Sequence, residues 1–280
     1  MGQDTKLEVL FLGSGSKGNA TLIRHGRSCL LIDCGFSGRE LQRRLSLVGA
    51  SIEALDAVLI THEHKDHVLG LPLLARREGF KVYSTAGTLE AARFGPRARC
   101  QRLELQPGRP LRVKEIEVRP FATSHDASDP VGYVLRFADG ARLGIATDLG
   151  VARPGVVAAL KGCDYLGLES NHDVDMLING PYPWFLKKRI QSARGHLCNE
   201  DTAALLERVA SPRLRQVFAL HISENNNLPA LAIRALERCV RRIGRPVPVT
   251  AVAQDRPTPF RFSPLTDAPV TSVARQIALF

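Results

Sequence analysis

An unbroken apolar run, Ala57-Val58-Leu59-Ile60, leads straight into Thr61-His62-Glu63-His64-Lys65-Asp66-His67. A run with no polar alternation reads as a strand covered on both faces, so the chain has to build layers on either side of it. Three of the eight histidines and two carboxylates then fall within seven residues. His62 and His64, two apart on an extended segment, leave the backbone on the same side. Asp66 and His67 follow where the chain turns into the next helical segment. One short stretch can thus aim two imidazoles at one point and a carboxylate plus an imidazole at a neighbouring one. That suits two cations a few ångströms apart better than one closed tetrahedral site. A solvated polar loop has no need of this spacing.

The segments around the cluster have a definite order. Residues 6–37 read as three short strands separated by glycine-rich turns, and 37–49 has helical spacing at Leu41, Leu45 and Val48. A helix is predicted over 68–79, a strand at 81–85 and a helix at 87–95. Strands follow around 102–105, 111–121, 132–137 and 142–147. Helices and strands then alternate to residue 252. Strands clustered early and alternating later, with helices flanking both groups, suit a sandwich of two sheets covered outside by helices. From residue 255 the character changes, with four prolines between 255 and 275, and this stretch reads as a linker. The expected organisation is one domain over 1–254 and a proline-rich tail over 255–280 that ends in QIALF.

Composition narrows the partners. No apolar run approaches the roughly 20 residues a membrane-spanning helix needs, and no membrane partner is expected. The first residues carry no secretory pattern, and the six cysteines show no CxxC spacing, so reduced thiols in the cytoplasm are expected. Lys and Arg number 38 against 28 Asp and Glu, a formal charge of +10, which favours polyanionic partners. An arginine-rich genome would produce the same excess.

The motif His62-Glu63-His64-Lys65-Asp66-His67 matches the HxHxDH signature of the metallo-β-lactamase superfamily, in its expected setting between a buried strand and a helix. "ATSHDASDP" resembles the segment that supplies a further histidine, here His125. "LGIATDLG" resembles the strand end with a metal-bridging aspartate, here Asp148. "VFALHISENN" resembles the last motif, here His221. The resemblance runs in order from about residue 7 to 252. It implies an αββα four-layer sandwich of two mixed β-sheets flanked by helices, an α+β fold. It also implies two divalent metal ions, zinc or manganese, one held by His62, His64 and His125. The other would be held by Asp66, His67 and His221, with Asp148 bridging. Asp66 would also help position the attacking water.

That fold hosts many chemistries, so the reaction class must come from other residues. "RGHLCNEDTAALL" resembles the helix entry of tRNase Z whose histidine assists phosphodiester cleavage. This implies a catalytic role for His196, held by Glu169 of "LGLES", although Leu197 stands where that motif has serine. A proton donor of this kind is worth typically 10²–10⁴-fold in rate. "LGSGSKGNATLI", "LESNHDVDML", "YPWFLKKRI" and "HISENNN" together resemble the YycJ/WalJ subgroup, whose implied activity is 5′-to-3′ exonuclease on DNA. Substrate contacts are expected from Ser14, Ser16, Lys17 and Asn19 of the glycine-rich turn, from Asn171 and His172, and from the basic run Lys187, Lys188 and Arg189. Tyr182 and Trp184 are candidates for stacking on bases. Gln276, Leu279 and Phe280 fit the Q-x-x-L-F pattern by which bacterial replication and repair proteins bind the sliding clamp. The rival reading from another class is a thioester or lactone hydrolase on the same metals, which needs neither His196 nor the basic excess.

Overall fold

The apolar strand segments are used on both faces. The structure, a computed structural model, describes residues 6–244, 246–263 and 275–276. The first half of the chain supplies β1 (Leu7–Gly13), β2 (Ala20–His25), β3 (Ser28–Ile32), β4 (Ala57–Leu59), β5 (Lys81–Ser84) and β6 (Gln101–Glu104). The second sheet follows as β7 (Leu111–Val113), β8 (Ile116–Ala122), β9 (Val131–Arg136), β10 (Arg142–Ala146), β11 (Tyr165–Glu169), β12 (Gln216–Leu220) and β13 (Val249–Ala251). The chain then returns to the first sheet as β14 (Thr258–Phe262) and β15 (Arg275–Gln276). Spatial order is β15-β14-β1-β2-β3-β4-β5-β6 in one sheet and β13-β12-β11-β10-β9-β8-β7 in the other, each with parallel and antiparallel pairs.

The helices cover the outer faces: α1 (Gly38–Leu47), α2 (Lys65–Val68), α3 (Leu71–Leu74) and α4 (Ala86–Ala91) on the first half, then α5 (Pro154–Leu160), α6 (Val174–Asn179), α7 (Trp184–Ile190), α8 (Asn199–Val209) and α9 (Pro229–Arg242). Strand alternation sorts the apolar residues into three layers. Phe11, Ile23, Tyr133 and Phe218 face one another between the sheets. Leu22, Leu31 and Val58 turn outward against Leu41 and Leu45 of α1. Leu166 and Val217 turn outward against Leu205 and Leu206 of α8 and Leu236 of α9. The four-layer sandwich expected from the sequence is the fold observed.

Three local expectations are corrected. The segment from 255 does not begin as a linker, because β14 pairs antiparallel with β1, Leu7 opposite Phe262 and Val9 opposite Phe260. Phe260 and Phe262 are buried against Phe218, so inward-facing aromatics outweigh the prolines beside them. The helix predicted over 68–79 is two short turns, α2 and α3. They break at Gly70, where the backbone presses so close to Phe36 O that an added Cβ would stand 2.8 Å from it. The strand predicted over 111–121 is a hairpin, β7 and β8, turning through Lys114 at φ 51° with no glycine or proline to signal it.

Arg44 ties α1 to the loop that leads towards the histidine cluster. It is only 6% exposed. Its guanidinium donates to Leu12 O (2.6 Å) and Gln254 O (2.8 Å), pairs with Glu40 and lies over the Phe36 ring. Arg44→Ala leaves two carbonyls without donors and should lower unfolding free energy by roughly 2–4 kcal/mol, read from denaturant titration.

Candidate metal centre

Seven side chains converge where the strands of both sheets end. Directly after β4, Thr61 donates its backbone N–H to Asp33 Oδ1 (2.8 Å), which fixes the start of the cluster. His62 is 1% exposed, its Nδ1 lies 3.0 Å from Thr61 Oγ1, and its Nε2 is buried without a hydrogen-bond partner among the described residues. His67, at the start of α2, donates from Nδ1 to Asp33 Oδ2 (2.8 Å). Gly35 makes this approach feasible, since a Cβ there would stand 1.6 Å from Asp66 O. His125, in the loop after β8, has Nδ1 3.0 Å from Gly195 O and Nε2 3.3 Å from His64 Nδ1.

The second sheet supplies the rest. Asp148, just past β10, sits 3.2 Å from His67 Nε2, 3.6 Å from His221 Nε2 and 3.7 Å from His125 Nε2. His221, just past β12, has Nδ1 3.1 Å from Glu169 Oε1 and a buried Nε2 without a hydrogen-bond partner among the described residues. Glu169 ends β11. It accepts backbone N–H groups from Leu149 (2.9 Å) and Leu197 (3.1 Å) and the Nδ1–H of His196 (2.7 Å). Asp33, Asp148 and His221 all adopt the left-handed backbone region, at φ 57°, 57° and 53°. Each such residue costs on the order of 1–3 kcal/mol and persists only where its surroundings fix it.

The ligating atoms of His62, His64 and His125 lie within 4.8 Å of one another, as do those of Asp66, His67 and His221. His62, His67 and Asp148 form a third such group that links the two. Buried imidazole nitrogens without partners are rare, and here they face a mixed nitrogen and carboxylate set that fits a divalent cation. His62, His67, His125 and His221 each have Nδ1 engaged from behind, which leaves Nε2 turned inward. Hydrogen-bonded backing of this kind fixes ring orientation and raises ligand basicity. Burial pushes the His62 and His125 imidazoles down, which favours the neutral, ligating form.

His196 stands beside this centre, its ring stacked on His221 at 5.3 Å. Burial alone would push His196 down, but the Glu169 carboxylate holds it above its ordinary value. Glu169 is held at about 2, where His196 outweighs the effect of burial. A cleft of about 250 Å³ opens over the centre, lined also by Ser16, Asp126, Asn171, Tyr182, Arg189 and Ser223.

Of the expected substrate contacts, Ser16, Asn171 and Arg189 line this cleft, with Arg189 paired to Asp126 at 2.5 Å. Ser14 stands behind the cluster instead, and Asn19 stands beside its inward-facing atoms. Ser14 Oγ accepts His221 N–H (2.9 Å), and Asn19 Nδ2 lies 3.1 Å from His67 Nε2. Lys17 is paired with Glu224 (2.6 Å), and Lys188 lies over the Trp184 ring on the surface. Two expected contacts are corrected. Lys187 is 9% exposed and donates to Ile178 O (2.6 Å), closing α6 onto α7. His172 is 2% exposed, pushed by burial to about 4, and lies off the cleft. For the tail, Gln276 pairs along the backbone with Phe260, and Leu279 and Phe280 lie outside the described residues. Asp33 and Thr61 were missed by sequence reasoning. The one signal was an aspartate ending the apolar strand "LLID", as Asp148 does after "LGIAT".

A layered sandwich with a histidine and carboxylate cluster at the shared strand ends defines a metal-dependent hydrolase. A family profile described as "Beta-lactamase superfamily domain" matches residues 29–222. Exodeoxyribonuclease YycJ of Bacillus anthracis is 34% identical over 240 residues, covering 85% of this chain and 90% of that protein. Exodeoxyribonuclease WalJ of Streptococcus pneumoniae is 35% identical over 226 residues, covering 79% and 83%. The metallo-β-lactamase fold protein YhfI of Bacillus subtilis superposes with a TM-score of 0.72 at 15% identity, over 91% of this chain and 99% of that one. The chain belongs to the metallo-β-lactamase superfamily, in its YycJ/WalJ-like branch. No described helix is long and apolar enough to cross a membrane.

Asp33→Asn keeps the size of the side chain but weakens the backing of His67. Metal affinity should fall 10–100-fold, measured by competition with a chromogenic chelator, with the circular dichroism spectrum retained.

Proposed function

We propose that this hydrolase is a phosphodiesterase that removes nucleotides from the 5′ end of DNA, in the cytoplasm, during replication or repair. The observation that carries the reading is His196, which lines the cleft with Nδ1 occupied by Glu169 at 2.7 Å, leaving Nε2 as its free ring nitrogen. An ester with an alkoxide leaving group benefits from such a donor. A thioester, whose thiolate leaves unaided, does not require one, and the relatives that match most of the chain are named nucleases, so the acyl-hydrolase alternative is set aside. DNA is favoured over RNA because the relatives that match most of the chain are named exodeoxyribonucleases.

Divalent cations, read here as a zinc or manganese pair held by the seven ligands, would acidify the attacking water and neutralise charge on the phosphoryl oxygens. Asp66, partly exposed at the cleft, orients that water. His196 gives its Nε2 proton to the departing 3′ oxygen as the phosphorus–oxygen bond breaks, while Glu169 keeps the ring in place. Arg189 and Ser16 face the flanking phosphates. Trp184, 61% exposed on the helix that carries Arg189, offers a face on which an unpaired base can stack. The six unpaired thiols suit a reducing compartment.

The decisive experiment incubates 5′- and 3′-labelled single- and double-stranded DNA and RNA with the protein and added manganese or zinc. Mononucleotides released from the 5′ end of DNA are expected; cleavage of RNA alone, or of neither, would end the proposal. In the same assay His196→Ala should retain its metal content and lose 10²–10⁴-fold in turnover. Gln276, Leu279 and Phe280 are further proposed to dock on the sliding clamp. Deleting residues 275–280 should abolish co-migration with the purified clamp while short DNA is still cleaved; if the full-length protein shows no clamp binding, the docking role is lost.

A further inference from the structure

The outer face of the second sheet carries a row of charges that the hydrolytic site does not use. Arg112 on β7, Glu117 on β8, Arg136 on β9 and Arg142 on β10 stand directly opposite one another in register. The ligands His125 and Asp148 follow the other ends of β8 and β10, so this row lies at the end of the sheet away from the cleft. Arg119 lies two residues along from Glu117 on the same face, and Arg213 closes one side. Together with Glu117 and Arg142 they line a recess of about 380 Å³.

Two arginines directly opposite each other in a sheet repel, and such pairs destabilise the sheet. Arg136 and Arg142 form such a pair. Arg142 is anchored on Ala159 O and Lys161 O, and Arg213 on Gly140 O and Asp164. Arg112, Arg119 and Arg136 make no ion pair with any described residue. Five arginines thus face Glu117 and a buried Asp164 that Arg213 already occupies. Neighbouring strands are about 4.8 Å apart, so the row spans roughly 14 Å. That is too long for one phosphate group, but it suits successive phosphates, which recur on each strand about every 3.4 Å of duplex axis.

We infer that this face is a second nucleic-acid contact, one that takes the phosphate backbone of DNA without reading its bases. The inference rests on the nuclease reading of the metal centre for its choice of ligand. Arg119 and Arg136 bear on it most directly, because neither is held by an ion pair with a described residue.

The test is binding without turnover. A fluorescent DNA duplex with cleavage-resistant phosphorothioate ends is titrated against the full-length protein across a range of salt concentrations. Each phosphate neutralised contributes about 0.9 to the slope of log affinity against log salt. The double variant Arg119→Ser, Arg136→Ser should therefore show a slope shallower by about 1.8 and affinity roughly tenfold weaker at low salt. It should melt close to wild type, since losing the Arg142 repulsion offsets losing the Glu117 neighbour across the ladder. Arg119→Lys with Arg136→Lys keeps the charges and should keep the slope. An unchanged slope in the serine variant, or a slope lost equally in the lysine variant, overturns the inference. So does competition showing that inorganic phosphate alone, not duplex, binds the face. Failure of wild-type protein to cleave DNA would count against the proposed reaction, while an unchanged slope counts against this face alone.

Discussion

Two buried carboxylates hold the metal centre from behind. Asp33 joins β3 to the start of the histidine cluster through Thr61 and His67, and Glu169 joins β11 to Leu149, Leu197, His196 and His221. Each charge is desolvated, yet each is surrounded by donors, the condition under which a buried ion is tolerated. Their effect is to fix which nitrogen of each imidazole faces inward. The left-handed turns at Asp33, Asp148 and His221 are sustained by the same contacts. Glu169 has two duties, because one carboxylate orients both a proposed ligand, His221, and the proposed donor, His196. Metal position and proton position are therefore set by one side chain.

Neither sheet carries a complete centre. The first contributes Asp33, His62, His64, Asp66 and His67, and the second His125, Asp148, Glu169 and His221. The apolar layer between them, with Phe11 against Phe218 at 4.9 Å and Tyr133 donating to Ile60 O at 2.6 Å, sets their spacing. Packing of ordinary hydrophobic residues thus decides whether ligands more than 150 positions apart can meet (His62 to His221).

Much of this was legible in the sequence because the ligands sit at strand ends, and strand ends announce themselves as apolar runs stopping at a polar residue. "LGIAT" and "VFAL" stop directly before a proposed ligand, and "DAVLI" stops one residue short of one, at Thr61. The layered fold was legible for the same reason. Less visible were features that depend on what comes to lie opposite. Asp33 ends its strand as Asp148 does, but nothing local shows that His67 will arrive 2.8 Å away. Lys187 belongs to a basic run at helical spacing, and only the packing of α6 on α7 turns its ammonium inward. His172 stands in a polar stretch of sequence, yet it is buried where its backbone bridges Cys198 at the entry to α8. The aromatic pair in "PFRF" was masked by its prolines, and it reads as a strand only once β1 stands beside it.

That last pairing bears on how the molecule comes to be made. Leu7 and Phe262 are neighbours across a ladder although nearly the whole chain separates them. A ribosome delivering residues in order leaves the outer rim of β1 bare until Phe260 and Phe262 emerge. Contacts so distant along the chain form slowly, and an unpaired rim invites strands from other molecules. During synthesis, then, the nascent sheet stays open to misassembly along β1 until β14 arrives.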